Sequence, residues 1–376
     1  MGTRCAPVSG ASGGSGEAAA TSVGSMKAVR WHGRLDVRLE EIPPPPPPKP
    51  NEVQIEVLSC GICGTDIEEY RLGPLFIPAS VPHPLTAKRA PVVLGHEVCG
   101  RVVAAGGPEG RELIGRLVAV DGLYACGRCE ACRHHRVNLC EIFASIGFSA
   151  DGGLAALMNA PAQGCRRLPE EVPPDVGVLA EPLAVGVRAL RRARLRSGER
   201  VAVFGAGAVG LLTAQGALAL GASSVTVIEP SPERRLLAQR LGLTTLETPV
   251  SDLDADVVVE CSGAVAAVES AVPATRAMGR VVLVGITPAQ PALDVLTMIR
   301  GEREVLGSLS HIYDEDFAQA VELIGTGALA MEGLVASSDQ LEDALDYLKS
   351  PGPLPTGAVK FVIHPAARLN GDLEPH

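Results

Sequence analysis

Apolar and polar residues alternate through "EVQIEVLSC" from Glu52, the period of a half-buried β-strand. "MKAVRWHGRLDVRLEEI", from Met26, is strand-like in the same way. Short strand-like runs separated by Gly/Pro turns continue to Val120, so residues 52–120 predict an all-β unit interrupted by the loop "GPLFIPASVPHPLTAKRAP". The run "PPPPPP" at residues 43–48 forces an extended polyproline segment. Such runs also dock SH3-like modules, but a connector between two strands fits better here, because alternation resumes directly afterwards. Near Val185 the pattern changes. "GVRALRRARL" reads as helix, and "RVAVFGAGAVGLLTAQGALALGA" as a buried strand, a glycine turn and a helix. "SVTVIEPSPERRLLAQRLG", "ADVVVECSG" and "RVVLVGI" repeat the theme of apolar strands between helical pieces, which predicts a parallel, doubly wound sheet. After Ser310 the pattern is mixed, with helices around "DEDFAQAVELIG" and "SDQLEDALDYLKS" and a final strand, "AVKFVI".

Length changes this picture little: 376 residues suggest about two domains. Residues 1–25 are Gly, Ser and Ala with nothing to pack, and are expected to be a disordered tail or an upstream start ahead of a true beginning at Met26. They lack the apolar core of a signal peptide, and no run is long enough to span a bilayer. The net charge of −10 argues against a nucleic-acid or anionic-membrane binder. Ten cysteines in a chain this long, and clustered, point to a reducing cytoplasm with thiols available for metal rather than to a disulfide scaffold.

"VAVFGAGAVG" places Gly205, Gly207 and Gly210 at G-x-G-x-x-G spacing, with Ala208 and Val209 in the same turn. A lone match is weak, but this one follows a strand and opens a helix inside a βαβ unit. Gly205 allows the tight turn, Gly207 the approach of a pyrophosphate, and Gly210 close helix–strand packing. Glu229 ends the next strand, about twenty residues on, where a carboxylate bonds the ribose hydroxyls of NAD and repels the extra phosphate of NADP. NAD is therefore expected over NADP, although Arg234 and Arg235 nearby could hold a phosphate. Val284 and Gly285, at the end of "RVVLVGI", are further candidate cofactor contacts.

"CGRCEACRHHRVNLC" spaces Cys126, Cys129, Cys132 and Cys140 as C-x2-C-x2-C-x7-C. Four thiolates so placed can close a tetrahedral structural zinc site. An iron–sulfur cluster can share such spacing, but the bacterial pattern ends C-x3-C-P and this one does not. His134 and His135, inside the loop, read as surface residues. A second metal site has to be assembled from distant pieces: Cys60 or Cys63 in "CGICGTD", His96 and Glu97 in "LGHEVCG", and Glu181 in "LAEPLAV". Together they offer sulfur, nitrogen and carboxylate oxygen, a mixed set suited to catalytic zinc with an exchangeable position.

From about Met26 to Ile363 the chain resembles the medium-chain zinc-dependent alcohol/polyol dehydrogenases. The resemblance rests on "CGICGTD", "GHE", the four-cysteine lobe, "AEPLAV", "GAGAVG" and "VVVECSG", in family order. The long "GPLFIPASVPHPLTAKRAPVVLGHE" is most similar to 2,3-butanediol dehydrogenases, with sorbitol and threonine dehydrogenases next. The implied fold is α/β: a GroES-like, mainly-β catalytic domain plus a Rossmann domain with a doubly wound parallel sheet. The implied organisation is a tail (1–25), the first part of the catalytic zinc domain (26–185), an NAD-binding domain (186–310) and the C-terminal part of the catalytic domain (311–376). The resemblance also implies one catalytic and one structural zinc, a small-molecule alcohol substrate and a homodimer or homotetramer, with no nucleic-acid or membrane partner.

The resemblance makes Cys63 the zinc thiolate and leaves Cys60 to close a strand. Physical sense agrees, since Cys63 precedes a helix start that would lower a thiol pKa. A Cys60–Cys63 redox pair is the rival, but such motifs need their own βαβ setting. Asp66 matches the carboxylate that orients the histidine ligand, here His96. Glu97 and Glu181 match direct or water-bridged ligand positions. The implied reaction oxidises a secondary alcohol (a vicinal diol, polyol, sugar or amino alcohol) to a ketone with transfer of hydride to NAD⁺. A dehydrogenase specialised for a biosynthetic cyclitol or sugar is an alternative, and a non-catalytic redox sensor is a rival of another class. Thr65 resembles the hydroxyl that passes the substrate proton to the cofactor ribose. Many relatives end that relay with a histidine three residues later, where this chain has Glu68. Either Glu68 ends the relay, or Glu68 and Glu69 form a solvated helix face.

Overall fold

The computed structural model describes residues 24–249 and 253–366. The expected tail at residues 1–25 lies, apart from Gly24 and Ser25, outside the described residues.

The alternation from Glu52 becomes the strand Glu52–Ile62, whose inward positions are buried and whose intervening positions are partly exposed until both faces close at Cys60. It is the centre of a seven-stranded sheet. Glu97–Ala105 pairs antiparallel on one side, followed by Leu117–Val120 and Cys165–Arg167. On the other side lies Lys360–Ile363, antiparallel, with Val335–Ser338 parallel beyond it. The end of the chain therefore returns to the sheet that its beginning built. A three-stranded sheet, in the order Asp36–Ile42, Met26–Gly33 and Val92–Val93, packs beside it, and the polyproline run joins the two sheets. Val53, Ile55 and Val57 fill the core of this half, together with Trp31, Leu94, Val98 and Leu154.

Residues 200–307 form a six-stranded sheet in which every pair is parallel. Numbered within this sheet, its strands lie in the order 3-2-1-4-5-6. The strands Arg200–Phe204 and Ala255–Glu260 are central, which explains their nearly unbroken apolar sequence, since both faces are covered. The sequence-predicted helix after Val185 begins earlier, at Ala180, and runs to Arg192. Its buried side packs on the helix Ala208–Ala219, and Gly186 allows the approach: a Cβ there would stand 2.5 Å from Thr213 Oγ1. This long helix is the physical link between the two halves, because it starts beside the first sheet and ends beside the second. The segment predicted as one helix around "DEDFAQAVELIG" is a π-turn, Tyr313–Phe317, continuing into a helix, Ala318–Gly325.

Candidate active site

The strand Glu52–Ile62 ends where its direction must change, and Cys63 caps the helix Gly64–Leu72. One turn into that helix, the Asp66 carboxylate folds back. Its Oδ2 accepts the Cys63 N–H at 2.9 Å, and its Oδ1 lies 3.4 Å from His96 Nδ1. Asp66 thus fixes the cysteine backbone and sets a carboxylate oxygen against the imidazole, where Oδ1 and Nδ1 make no hydrogen bond among the described residues. His96 and Glu97 enter from the adjoining strand, and one atom each from Cys63, His96 and Glu97 lie within 4.8 Å of one another. Sequence positions 63, 96 and 97 meet only because the strands carrying them are neighbours in the sheet.

The surroundings suit a cation. Burial opposes a charged imidazole at His96, yet Asp66 and Cys63 more than offset it and hold its pKa well above the usual value. Glu97 Oε2 is buried with no hydrogen-bond partner among the described residues. Sulfur, nitrogen and carboxylate oxygen form the donor set zinc takes in catalytic sites. Glu181 lies outside the tight group. Its carboxylate Oε1 stands 3.6 Å from His311 Nδ1, and burial raises its pKa. Its charge neighbours include His96 and Glu97, so it borders the same space. Thr65 Oγ1 accepts from Cys63 Sγ at 3.7 Å. Glu68 lies one helical turn beyond Thr65 and is half-buried.

Glu69 departs from the solvated-face reading. Its side chain is fully buried, and its carboxylate accepts the N–H groups of Leu75, Phe76 and Ile77 at 2.8–3.4 Å. Donors in the loop that begins at Gly73 outweighed exposure, and Glu69 shapes that loop. Of the glutamate pair, Glu69 anchors the loop and Glu68 is half-buried.

Sequence reasoning passed over Lys360. Its Nζ lies 2.5 Å from Glu97 Oε1, and its side chain is 5 % exposed. A lysine amid the apolar "AVKFVI" was the available signal, since lysine is seldom buried unless paired. Phe148 was also missed. Its ring centroid stands 4.9 Å from that of His96 and 5.5 Å from that of Phe76, giving the site one apolar wall.

In the cysteine lobe, the sulfurs of Cys126, Cys129, Cys132 and Cys140 all lie within 4.8 Å of one another. The N–H groups of Arg128 and Cys129 point at Cys126 Sγ from 3.5 and 3.3 Å and lower its thiol pKa to about 6. N–H donors aimed at sulfur favour the thiolate that a metal needs. His134 and His135 are exposed.

At the glycine turn, Gly205 has φ +98°, a conformation that glycine alone adopts readily. A Cβ on Gly210 would stand 1.9 Å from Gly205 O, whereas above Gly207 nothing lies within 4 Å. Open space there, at the N-terminus of the helix Ala208–Ala219, suits a pyrophosphate. Glu229 Oε2 accepts the Ala206 N–H at 2.8 Å, and its Oε1 accepts the Ser231 N–H at 2.9 Å, so the carboxylate faces the turn. Arg235 is tied to Glu229 O and Pro230 O, while Arg234 lines a cleft with Ser231 and Tyr347. Val284 and Gly285 donate to Glu260 O beside the same crevice.

The match to known proteins follows this geometry. Residues 49–170 match the alcohol dehydrogenase GroES-like domain, and residues 208–326 match the zinc-binding dehydrogenase family. The chain is 32 % identical to (R,R)-butanediol dehydrogenase of Bacillus subtilis over 85 % of its own length and 94 % of the relative's. It is 32 % identical to 2-dehydro-3-deoxy-L-galactonate 5-dehydrogenase of Pseudoalteromonas atlantica, over 78 % and 85 % of the two chains. The crystal structure of the B. subtilis 2R,3R-butanediol dehydrogenase superposes with a TM-score of 0.82, covering 91 % of this chain and 100 % of that one. The chain belongs to the zinc-dependent medium-chain alcohol/polyol dehydrogenases, enzymes that take hydride from a secondary alcohol and pass it to a nicotinamide dinucleotide.

Proposed function

We propose that Cys63, His96 and Glu97 form the catalytic zinc site, with Glu181 as an exchangeable or water-bridged partner, and that the enzyme oxidises a small vicinal diol, polyol or sugar with NAD⁺. The convergence of a sulfur, a nitrogen and a carboxylate oxygen within 4.8 Å carries this reading. Zinc in such a set supplies Lewis acidity that brings an alcohol's pKa toward neutrality. The protein's own groups do the rest. Asp66 faces the His96 ring at its Nδ1 and leaves Nε2 for the metal. Phe148, buried against the His96 ring, gives one side of the site an apolar wall. The Thr65 hydroxyl receives the substrate proton and hands it on toward the cofactor ribose, and Glu68, one turn along, ends the relay. The cofactor, which accepts the hydride, would lie over Gly205, Gly207, Ala208, Val209 and Gly210, with Glu229 at the adenosine ribose and Val284 and Gly285 at the nicotinamide end. The engagement of Glu229 with the turn supports NAD over NADP. Cys126, Cys129, Cys132 and Cys140 would hold a second, structural zinc.

No helix among the described residues is long and apolar enough to cross a membrane. The thiols of the described cysteines are free, which supports a reducing cytoplasm. The edge strand Glu304–Gly307, near the exposed apolar residues Val295, Leu296 and Ile299, supports a homo-oligomer.

The B. subtilis relative is named for butanediol and the P. atlantica relative for a sugar acid, so the test is a panel of diols, polyols, sugar alcohols and amino alcohols. Each is incubated with NAD⁺ or NADP⁺ while the absorbance of reduced cofactor is followed. Turnover of a secondary alcohol with NAD⁺ preferred is expected. No turnover on any of them would overturn the reading.

A further inference from the structure

A cavity of about 480 Å³ lies between the cysteine lobe, the helix Ala180–Arg192 and the strand ends at Leu283 and Gly307. Three guanidinium groups line it: Arg136 from the lobe, and Arg188 and Arg192 from the helix. Arg192 Nε is bonded to Gly307 O at 3.1 Å. Arg188 is the unusual one, because its side chain is only 4 % exposed and its Nε has no hydrogen-bond partner among the described residues. Its Nη1 faces Asp316 at 3.6 Å and Glu315 at 3.8 Å, too far for hydrogen bonds. Asp316 is otherwise occupied, with Oδ1 on Arg191 Nε at 2.8 Å and Oδ2 on the Ile312 N–H at 2.9 Å.

Two more lining residues carry buried atoms without a partner among the described residues, Asn138 Oδ1 and Ser308 Oγ. Asn138 is held in place by its other amide atom, which donates to Leu309 O at 2.7 Å. Burying such a group without a partner is costly, and burying a guanidinium more so. Burial, and the like charges of Arg136 and Arg192, work against the charge on Arg188, and Asp316 and Glu315 offset them only in part. An anion in the cavity would complete that compensation and relieve the repulsion among the arginines. In a chain of net charge −10, so local a concentration of arginine also marks where an anionic ligand is drawn in.

The cavity lies within a substrate's length of the metal-site candidates. Arg188 follows Glu181 by seven residues on one helix, hence on the same face and about 10 Å along it. His311 connects the two ends: its Nδ1 faces Glu181, and the next N–H, of Ile312, is held by Asp316. Val284 and Gly285, expected at the nicotinamide end of the cofactor, line the same cavity.

We propose that this cavity is an anion subsite, in which Arg136, Arg188 and Arg192 hold a carboxylate or phosphate at one end of a polyhydroxylated substrate while Asn138 and Ser308 meet its hydroxyls. This rests on the reading of the Cys63 cluster as the catalytic centre. The substrate class is then an aldonate or a polyol phosphate of five or six carbons, oxidised at a secondary carbinol several carbons from its charged end.

The test uses the zinc-loaded enzyme with NAD⁺ and compares a neutral hexitol with the matching aldonate and hexitol phosphate. A charged substrate is expected to have a kcat/KM at least tenfold above the neutral one, and whichever charged substrate wins identifies the group. Arg136→Gln, at an exposed position that the fold tolerates, and Arg192→Gln are each expected to cut that ratio at least fivefold, mainly through KM. Arg38→Gln, on a remote strand, leaves the ratio in place. Equal use of neutral and charged alcohols, or ratios unmoved in Arg136→Gln and Arg192→Gln, overturns the subsite and leaves the dehydrogenase reading standing. If no alcohol is oxidised, the dehydrogenase reading falls, and calorimetric titration with inorganic phosphate decides the subsite. Binding that Arg136→Gln weakens supports it, and no binding, or equal binding, overturns it.

Discussion

The Lys360 ammonium lies 2.5 Å from the Glu97 carboxylate, and the two side chains are 5 % and 0 % exposed. Burial works against the ammonium, but Glu97 outweighs it and raises the lysine's pKa. The pair ties the last strand of the chain to the metal-site candidates. Breaking one partner of a buried pair costs about 3–5 kcal/mol, because the other charge is stranded. Lys360→Met is expected to lose about that much stability in denaturant titration. The double variant Glu97→Gln/Lys360→Met should lose clearly less than the sum of the two single changes, and strict additivity would show that the pair is not coupled.

Metal content separates the two sulfur sites. The purified protein is expected to carry about two zinc ions per chain. Cys140→Ser should lose one of them together with stability. Cys63→Ser should lose the other together with turnover, while circular dichroism stays native. Mass spectrometric metal analysis reads all three outcomes.

Glu68 stands one turn from Thr65 on the helix Gly64–Leu72 and is half-buried. Glutamine keeps the length of the side chain but cannot accept a proton. Glu68→Gln is expected to lower kcat about tenfold or more and to change the pH–rate profile. Glu68→His, which restores a proton acceptor, should recover part of the rate. A profile unchanged in both variants would return Glu68 to the solvent-facing role.

The proposed preference for NAD rests on Glu229. Glu229→Gln keeps an acceptor for the Ala206 and Ser231 N–H groups but removes the charge that repels an added phosphate. The ratio of kcat/KM for NADP⁺ over NAD⁺ should rise at least tenfold, measured at fixed alcohol concentration.

His364 locks the end of the last strand. Asp175 accepts from its Nε2 at 2.7 Å and Asp339 from its Nδ1 at 2.8 Å, and these bonds, Asp175 foremost, push its pKa up to about 9. An imidazolium with a folded pKa above its unfolded value of about 6.5 stabilises fully below that lower value. The contribution fades as pH rises through about 9. Asp339 is largely exposed, so the stabilisation is on the order of 1 kcal/mol. The stability gap between the native protein and His364→Gln, from urea titrations, should be largest near pH 6 and close by pH 10.

The elements that local pattern controls are legible along the chain. Alternation marks the strand that ends at Ile62, and the unbroken apolar runs around Val201 and Val257 mark strands covered on both faces. The glycines from Gly205 to Gly210 mark a turn that requires positive φ and close packing, and the closely spaced cysteines mark a lobe that needs few residues to close. Each of these signals is short in sequence, so it survives without knowledge of the fold. Tertiary structure decided the rest. Whether Glu69 faced water or loop N–H groups depended on where the segment after Gly73 ran. Lys360 meets Glu97 across 263 positions because an antiparallel strand returns there. Arg188 looks like any arginine of "GVRALRRARL" until the cysteine lobe and the strand end at Gly307 close over it. Burial and charge pairing are properties of what packs around a side chain, and neighbours remote in sequence set them only once the chain has folded.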